Sequence, residues 1–182
     1  MSRDFIITMG VIVAGVVAVS LYTSLVGVPG RPHAWTAGDV KSLAMAIEYF
    51  HEEYGMYPDF GMEGDEAQAD GRSGSSLFTI LLGKEVVTDK IQNRKRIAFL
   101  NVKVSKSRAR GGLVYSSGGS GVIPEGLYDA WGNPLHMKFD IDCDQQIEDP
   151  LEQGKVIRNK PVVVYSFGPD RNPGGGDDII SW

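Results

Sequence analysis

The stretch from Phe5 to Val28, FIITMGVIVAGVVAVSLYTSLVGV, carries no charged residue and is bounded by Arg3-Asp4 and Arg31. As a helix rising ~1.5 Å per residue it covers roughly 36 Å, enough for a hydrocarbon core of about 30 Å. A cleavable secretory signal has an apolar region of about 7–15 residues and an Ala-x-Ala-like end. This run is longer, and Gly27-Val28-Pro29-Gly30 does not suit such a site. A buried core helix is the other rival reading. The expectation is a membrane-spanning helix over 5–28 after a short flank at 1–4, with the lipid bilayer as its partner. Gly10, Ala14, Gly15 and Ala18 give it small-residue faces that allow close helix approach. Arg3 and Arg31 balance one another, so the flanking charges do not set an orientation.

Pro29-Gly30-Arg31-Pro32 predicts a break over 29–35, because proline lacks the N–H and clashes with the preceding turn. One globular domain over 36–182 comes next. Thr36, with Asp39 three residues on, reads as the N-cap of a second helix. Val40, Leu43, Ala44, Ile47 and Tyr54 recur there at helical spacing, with Gly55 as the stop. Residues 59–75 are acidic, glycine-rich and aperiodic, which predicts a loop. Ser76 opens a short helix over LFTILLG. From Arg96 the pattern turns to strands, with RIAFLNVKV, GGLVYSS, PLHMKFDI and PVVVYSFG as candidates. Helices first and strands after is α+β order.

Composition narrows the function. With 18 Lys+Arg against 23 Asp+Glu the formal charge is −5, which argues against a nucleic-acid partner. The basic run Lys90–Arg96, KIQNRKR, reads as a solvated helix end. A single cysteine, Cys143, and three histidines exclude a disulfide framework and a Cys-cluster zinc site. GGLVYSSGGSG lacks a lysine at P-loop spacing. Cys143 and His136 have no orienting third group, and the neighbouring aspartates would blunt the thiol. No catalytic set emerges, so neither enzymatic activity nor a small-molecule substrate is expected.

Four stretches carry a family resemblance: the N-terminal apolar run, the amphipathic segment ending AIEYFHEEYGMYP, the turn YDAWGNPL, and the ending YSFGPDRNPGGGDDIISW. In this order they resemble the pseudopilins of type II secretion, close to the major pseudopilin, within the type IV pilin-like class. Two features depart from that family's pattern. Asp4 precedes Phe5, and Met9 stands where the family has a glutamate.

The resemblance implies a long N-terminal transmembrane helix and a second helix packed on a small antiparallel β-sheet. It implies a single-pass protein of the bacterial inner membrane with its C-terminal domain in the periplasm. Its function would be that of a structural subunit of a secretion pseudopilus, supporting protein export across the outer membrane. Its partners would be copies of itself, other pseudopilins and the inner-membrane secretion machinery. The alternative is a membrane-anchored, non-polymerising periplasmic domain that binds calcium and a partner.

Carboxylates are the best-supplied ligands in the chain. Calcium takes six to eight oxygens, and glycines let carbonyls turn inward. In the C-terminal stretch Asp170, Asp177 and Asp178 flank Gly174-Gly175-Gly176. The resemblance implies calcium there, with Asp170 and one or both of Asp177 and Asp178 as ligands. Asp140, Asp142 and Asp144 alternate as the first half of an EF-hand-like loop, without its later Gly and Glu. They form either a second calcium loop or a solvated acidic turn.

Overall fold

The computed structural model describes residues 30–86, 90–116 and 123–182. The chain divides into two compact units, Met1–Arg31 and Pro32–Trp182, and nearly all the described residues belong to the second.

Helix α1 spans Arg31–Tyr54. The predicted break is therefore absent from Arg31 onward: Pro32 occupies the helix's first turn, where an N–H has no intrahelical partner and proline is tolerated. Thr36 lies inside the helix, fully buried, and its hydroxyl Oγ1 accepts the Ala130 N–H at 3.0 Å instead of capping. At the other end Gly55, with φ +69°, donates its N–H to the His51 carbonyl at 2.8 Å and closes the helix. One face buries Val40, Leu43, Ala44, Ala46, Ile47 and Phe50.

Strand β1 (Glu66–Gln68) and the start of helix α2 (Gly71–Leu81) both fall inside the 59–75 stretch expected to be a loop, so the helix begins ahead of Ser76. Leu77, Phe78, Ile80 and Leu81 of α2 enter the core. The remaining strands are β2 (Val104–Ser105), β3 (Gly112–Tyr115), β4 (Pro124–Tyr128), β5 (His136–Phe139), β6 (Gln146–Glu148), β7 (Val156–Arg158), β8 (Val162–Ser166) and β9 (Ile179–Ile180). They sort into three sheets, ordered β1-β5-β8-β9, β2-β3-β4 and β6-β7. β5 pairs antiparallel with β8 over His136↔Tyr165 to Phe139↔Val162. α2 lies against β4. The main core joins both helices to Leu113, Leu127, Leu135, Met137, Phe139, Val162, Val164 and Ile179.

Two expectations are corrected. Among the described residues no helix is long and apolar enough to cross a membrane. The 24-residue helix α1 carries Asp39, Lys41, Glu48, Glu52 and Glu53 along its length. The apolar run over 5–28, on which a long N-terminal transmembrane helix was expected, lies outside the described residues. The single-pass inner-membrane placement is not retained. The second correction concerns the sheet: three small sheets replace the one small antiparallel sheet, and β2 runs parallel to β3. The physical reason lies in RIAFLNVKV, residues 96–104, whose alternation predicts a strand and of which only Val104 joins one, β2. This segment runs past the end of α2, where the Phe99 and Leu100 N–H groups bond the Leu81 carbonyl at 2.8 and 3.4 Å. It satisfies a helix-end carbonyl instead of joining a ladder.

Candidate functional site

Two of the stretches singled out in the sequence meet at Asp129. This aspartate ends β4 and is fully buried. Its carboxylate Oδ1 accepts the N–H groups of Trp131 (2.9 Å) and Asn133 (2.8 Å). Its Oδ2 accepts the Asn133 side-chain amide (3.0 Å) and the Ser166 hydroxyl (2.7 Å). Asn133 Nδ2 also donates to the Gly168 carbonyl at 3.1 Å, and the Gly168 N–H donates to Ser166 Oγ at 3.1 Å. The turn DAWGNP is thereby joined to the YSFG segment that ends β8. A buried carboxylate is stable only when donors surround it, and here four do. The spacing of Asp129, Trp131 and Asn133 is the signal in the sequence. Its pairing with Ser166, 37 residues on, is not visible there.

From Gly168 the chain enters the glycine-rich acidic loop. Gly168 has φ +67°, and a Cβ there would sit 2.5 Å from the Asp177 carbonyl oxygen. The glycine lets the two ends of the loop touch. Gly174, Gly175 and Gly176 have φ of +88°, +94° and +89°, a region that side-chain-bearing residues rarely adopt. Around Gly175 two carboxylates converge: a Cβ on that glycine would lie 3.3 Å from Asp177 Oδ1 and 3.8 Å from Asp170 Oδ2. Asp178 Oδ2 accepts the Gly174 N–H at 2.8 Å, whereas its Oδ1 is buried without a hydrogen-bond partner. Burial raises the Asp178 carboxyl pKa from its ordinary value, against the pull of the Gly174 N–H, and the charges of Asp177 and Asp170 add to the rise. Converging carboxylates, an orphaned carboxylate oxygen and adjustable glycine carbonyls suit a hard, oxygen-seeking cation.

The second acidic loop joins β5 to β6. Asp140, 6 % exposed, anchors it: Oδ1 accepts the Asp144 N–H at 3.1 Å and Oδ2 the Gln145 N–H at 3.0 Å. Cys143 and Gln145 take left-handed φ of +59° and +63°. Asp140, Asp142 and Asp144 each offer an oxygen, and these oxygens lie within 4.8 Å of one another. This triad could hold a metal ion. Part of each carboxylate is already used within the loop, since Asp144 Oδ1 accepts the Gln146 N–H at 2.8 Å. Asp170, Asp177 and Asp178 are less tightly gathered than this triad.

A groove of about 490 Å³ opens beside that loop. Asp65, Asp142, Asp144 and Glu148 line it together with the apolar side chains of Ile141 and Val156.

The paired candidates His136 and Cys143 do not come together chemically. His136 stacks on Tyr165 at 5.3 Å and against Phe167 at 4.5 Å. Burial holds its imidazole pKa below the ordinary value. Cys143 is exposed on its loop. The basic run at 90–96 forms a turn, not a helix end.

Comparison with family models, characterised proteins and solved structures returns no match.

Proposed function

We propose that the chain is a structural subunit of pilin-like type, a pseudopilin that acts by self-association in a secretion pseudopilus and so supports protein export across the outer membrane. Calcium bound in the C-terminal loop holds its fold. The observation that carries the reading is the Asp129 latch. It ties the YDAWGNPL turn to the YSFGPD segment, two of the four stretches that carry the resemblance, and hangs the Asp170–Asp178 loop directly from that junction. Asp170, Asp177 and Asp178 would hold calcium, which supplies the positive charge that the orphaned Asp178 oxygen lacks. Asp140, Asp142 and Asp144 are the second calcium candidates.

The chain's own residues would perform no chemistry; their part would be to present a surface on which neighbouring copies assemble. The test is twofold. The full chain in mild detergent is followed by sedimentation and electron microscopy, and its melting temperature is recorded with calcium and with EGTA. Concentration-dependent oligomers and a higher melting temperature in calcium are expected. A chain that stays monomeric under every condition is not a filament subunit, and an unchanged melting temperature removes the calcium role.

A second reading, a non-polymerising calcium-binding interaction domain, is favoured by Met9, which leaves no acidic side chain where the family docks subunits. A monomer stabilised by calcium would establish it.

A further inference from the structure

The run that reads in sequence as a solvated helix end is a rigid basic knuckle. Its plug is Asn93, fully buried. Asn93 Nδ2 donates to the carbonyls of Ile80 (2.8 Å) and Ile97 (2.7 Å), while Oδ1 accepts from the Tyr54 hydroxyl (2.8 Å) and the Ile97 N–H (3.0 Å). Glu85 accepts the backbone N–H groups of Gln92 and Asn93 at 3.1 and 2.8 Å. Arg96 turns the chain with φ +53°. The plug thus fixes a short turn from which Arg94, Lys95 and Arg96 all stand exposed. Lys95 pairs with Glu53 of α1. Arg94 and Arg96 make no ion pair among the described residues. Two guanidinium groups therefore face solvent from a backbone that has already given up its freedom, which lowers the entropic cost of engaging a partner.

The groove beside the Asp140–Asp144 loop is the complement. Four carboxylates, from Asp65, Asp142, Asp144 and Glu148, surround it, and Ile141 (56 % exposed) and Val156 (44 % exposed) leave its apolar part open. Arginine fits such a lining better than lysine does: its stem covers apolar surface while its planar fork meets carboxylates in pairs. We infer that the Arg94–Arg96 knuckle of one copy docks in the Asp65/Asp142/Asp144/Glu148 groove of a second copy. This rests on the self-association proposed for the chain and supplies one contact for it. Donor and acceptor are distinct segments of the same chain, and the contact is taken to run head-to-tail, as a growing assembly requires. Repeated, it makes a row of copies unless the rotation closes on itself.

The charges are exposed, so no single pair carries much, and the contact is steered by charge and weakened by salt. The experiment uses the full chain in mild detergent, in EGTA and again with calcium, with association read by sedimentation. Arg94→Glu with Arg96→Glu is expected to weaken association about tenfold, as is Asp142→Lys with Glu148→Lys. All four positions are exposed, and a melting temperature in EGTA equal to the parent's reports that each variant folds. Mixing the two variants is expected to restore association at a one-to-one ratio, because the native Arg94 and Arg96 of the groove variant meet the native carboxylates of the knuckle variant. A second readout is cross-linking of the native Cys143 to Ala98→Cys by a bismaleimide. It should give a ladder of copies that high salt suppresses.

Association that persists unchanged in both variants, without the cross-link, overturns this contact and leaves the subunit reading intact. A parent chain that is monomeric in EGTA and in calcium overturns both.

Discussion

Ser166 Oγ donates a 2.7 Å hydrogen bond to Asp129 Oδ2 with both residues closed to solvent, and that bond links the end of β8 to the end of β4. Removing the carboxylate takes the acceptor from the Ser166 hydroxyl and two backbone N–H groups and leaves the Asn133 amide only its bond to the Gly168 carbonyl. Asp129→Ala is expected to lower stability by about 3–5 kcal/mol, measured by urea denaturation. Ser166→Ala removes one donor only and is expected to cost about 1–2 kcal/mol. A loss under about 1 kcal/mol for Asp129→Ala would mean that the donors find other partners at little cost.

Gly168→Ala tests the crossing of the acidic loop. The substitution places a methyl against the Asp177 carbonyl in a left-handed backbone region and is expected to cost about 2–4 kcal/mol. It should also reduce the calcium-induced rise in melting temperature, because Asp177 must move away from Asp170. A retained calcium shift would separate the loop's geometry from metal binding.

Asn93→Ala removes both the acceptor of the Tyr54 hydroxyl and the donor to the Ile80 and Ile97 carbonyls. The expected loss is about 2–3 kcal/mol by chemical denaturation. Proteolysis should then cut after Arg94, Lys95 or Arg96 faster than in the parent. Unchanged cleavage would show that the turn is held by Glu85 alone.

Asp39 on α1 has its carboxyl pushed up to about 6 by burial, with the Lys103 ammonium pulling the other way. The folded form therefore binds this proton more readily than the unfolded chain does. The contribution favours folding fully below about pH 4 and is lost as pH rises through about 6. Asp39→Asn should be more stable than the parent by about 1 kcal/mol at pH 7, after allowance for solvent screening, and equal to it near pH 4. His136 pulls in the opposite sense: burial lowers its pKa, so its contribution weakens as pH falls below the ordinary histidine range. Comparing parent and variant at each pH cancels that second effect. A difference that does not vary with pH would refute the Asp39 shift.

The elements legible in the sequence are those whose pattern is local. PLHMKFDI and PVVVYSFG contain β5 and β8, and GGLVYSS contains β3, because a short apolar run beside a Gly or Pro turn signal shows in a few consecutive residues, and these strands are buried almost throughout. The short strands β6, β7 and β9 exist only through their partners and leave no such trace. Arg96–Lys103 has the alternation of a strand, yet the free end of α2 claims its N–H groups first. Thr36 has the character of an N-cap, but it is buried against a turn 94 residues away. For the site, Asp140, Asp142 and Asp144 stand out as candidate ligands from their alternation and do gather. Asp129 is not, because a buried aspartate is defined by what surrounds it.

The hairpin of β6 and β7 leans on a small apolar cluster of its own, Ile147, Ile157 and Val163 with Trp182 against them, apart from the main core. Few apolar contacts hold it, so it is expected to open on its own while the β5–β8 ladder stays closed. Amide protons of Gln146–Glu148 should exchange with solvent deuterium well ahead of those of Val162–Ser166. The groove wall formed by Glu148 and Val156 is accordingly a yielding one, able to adjust to an occupant without unsettling the rest of the fold.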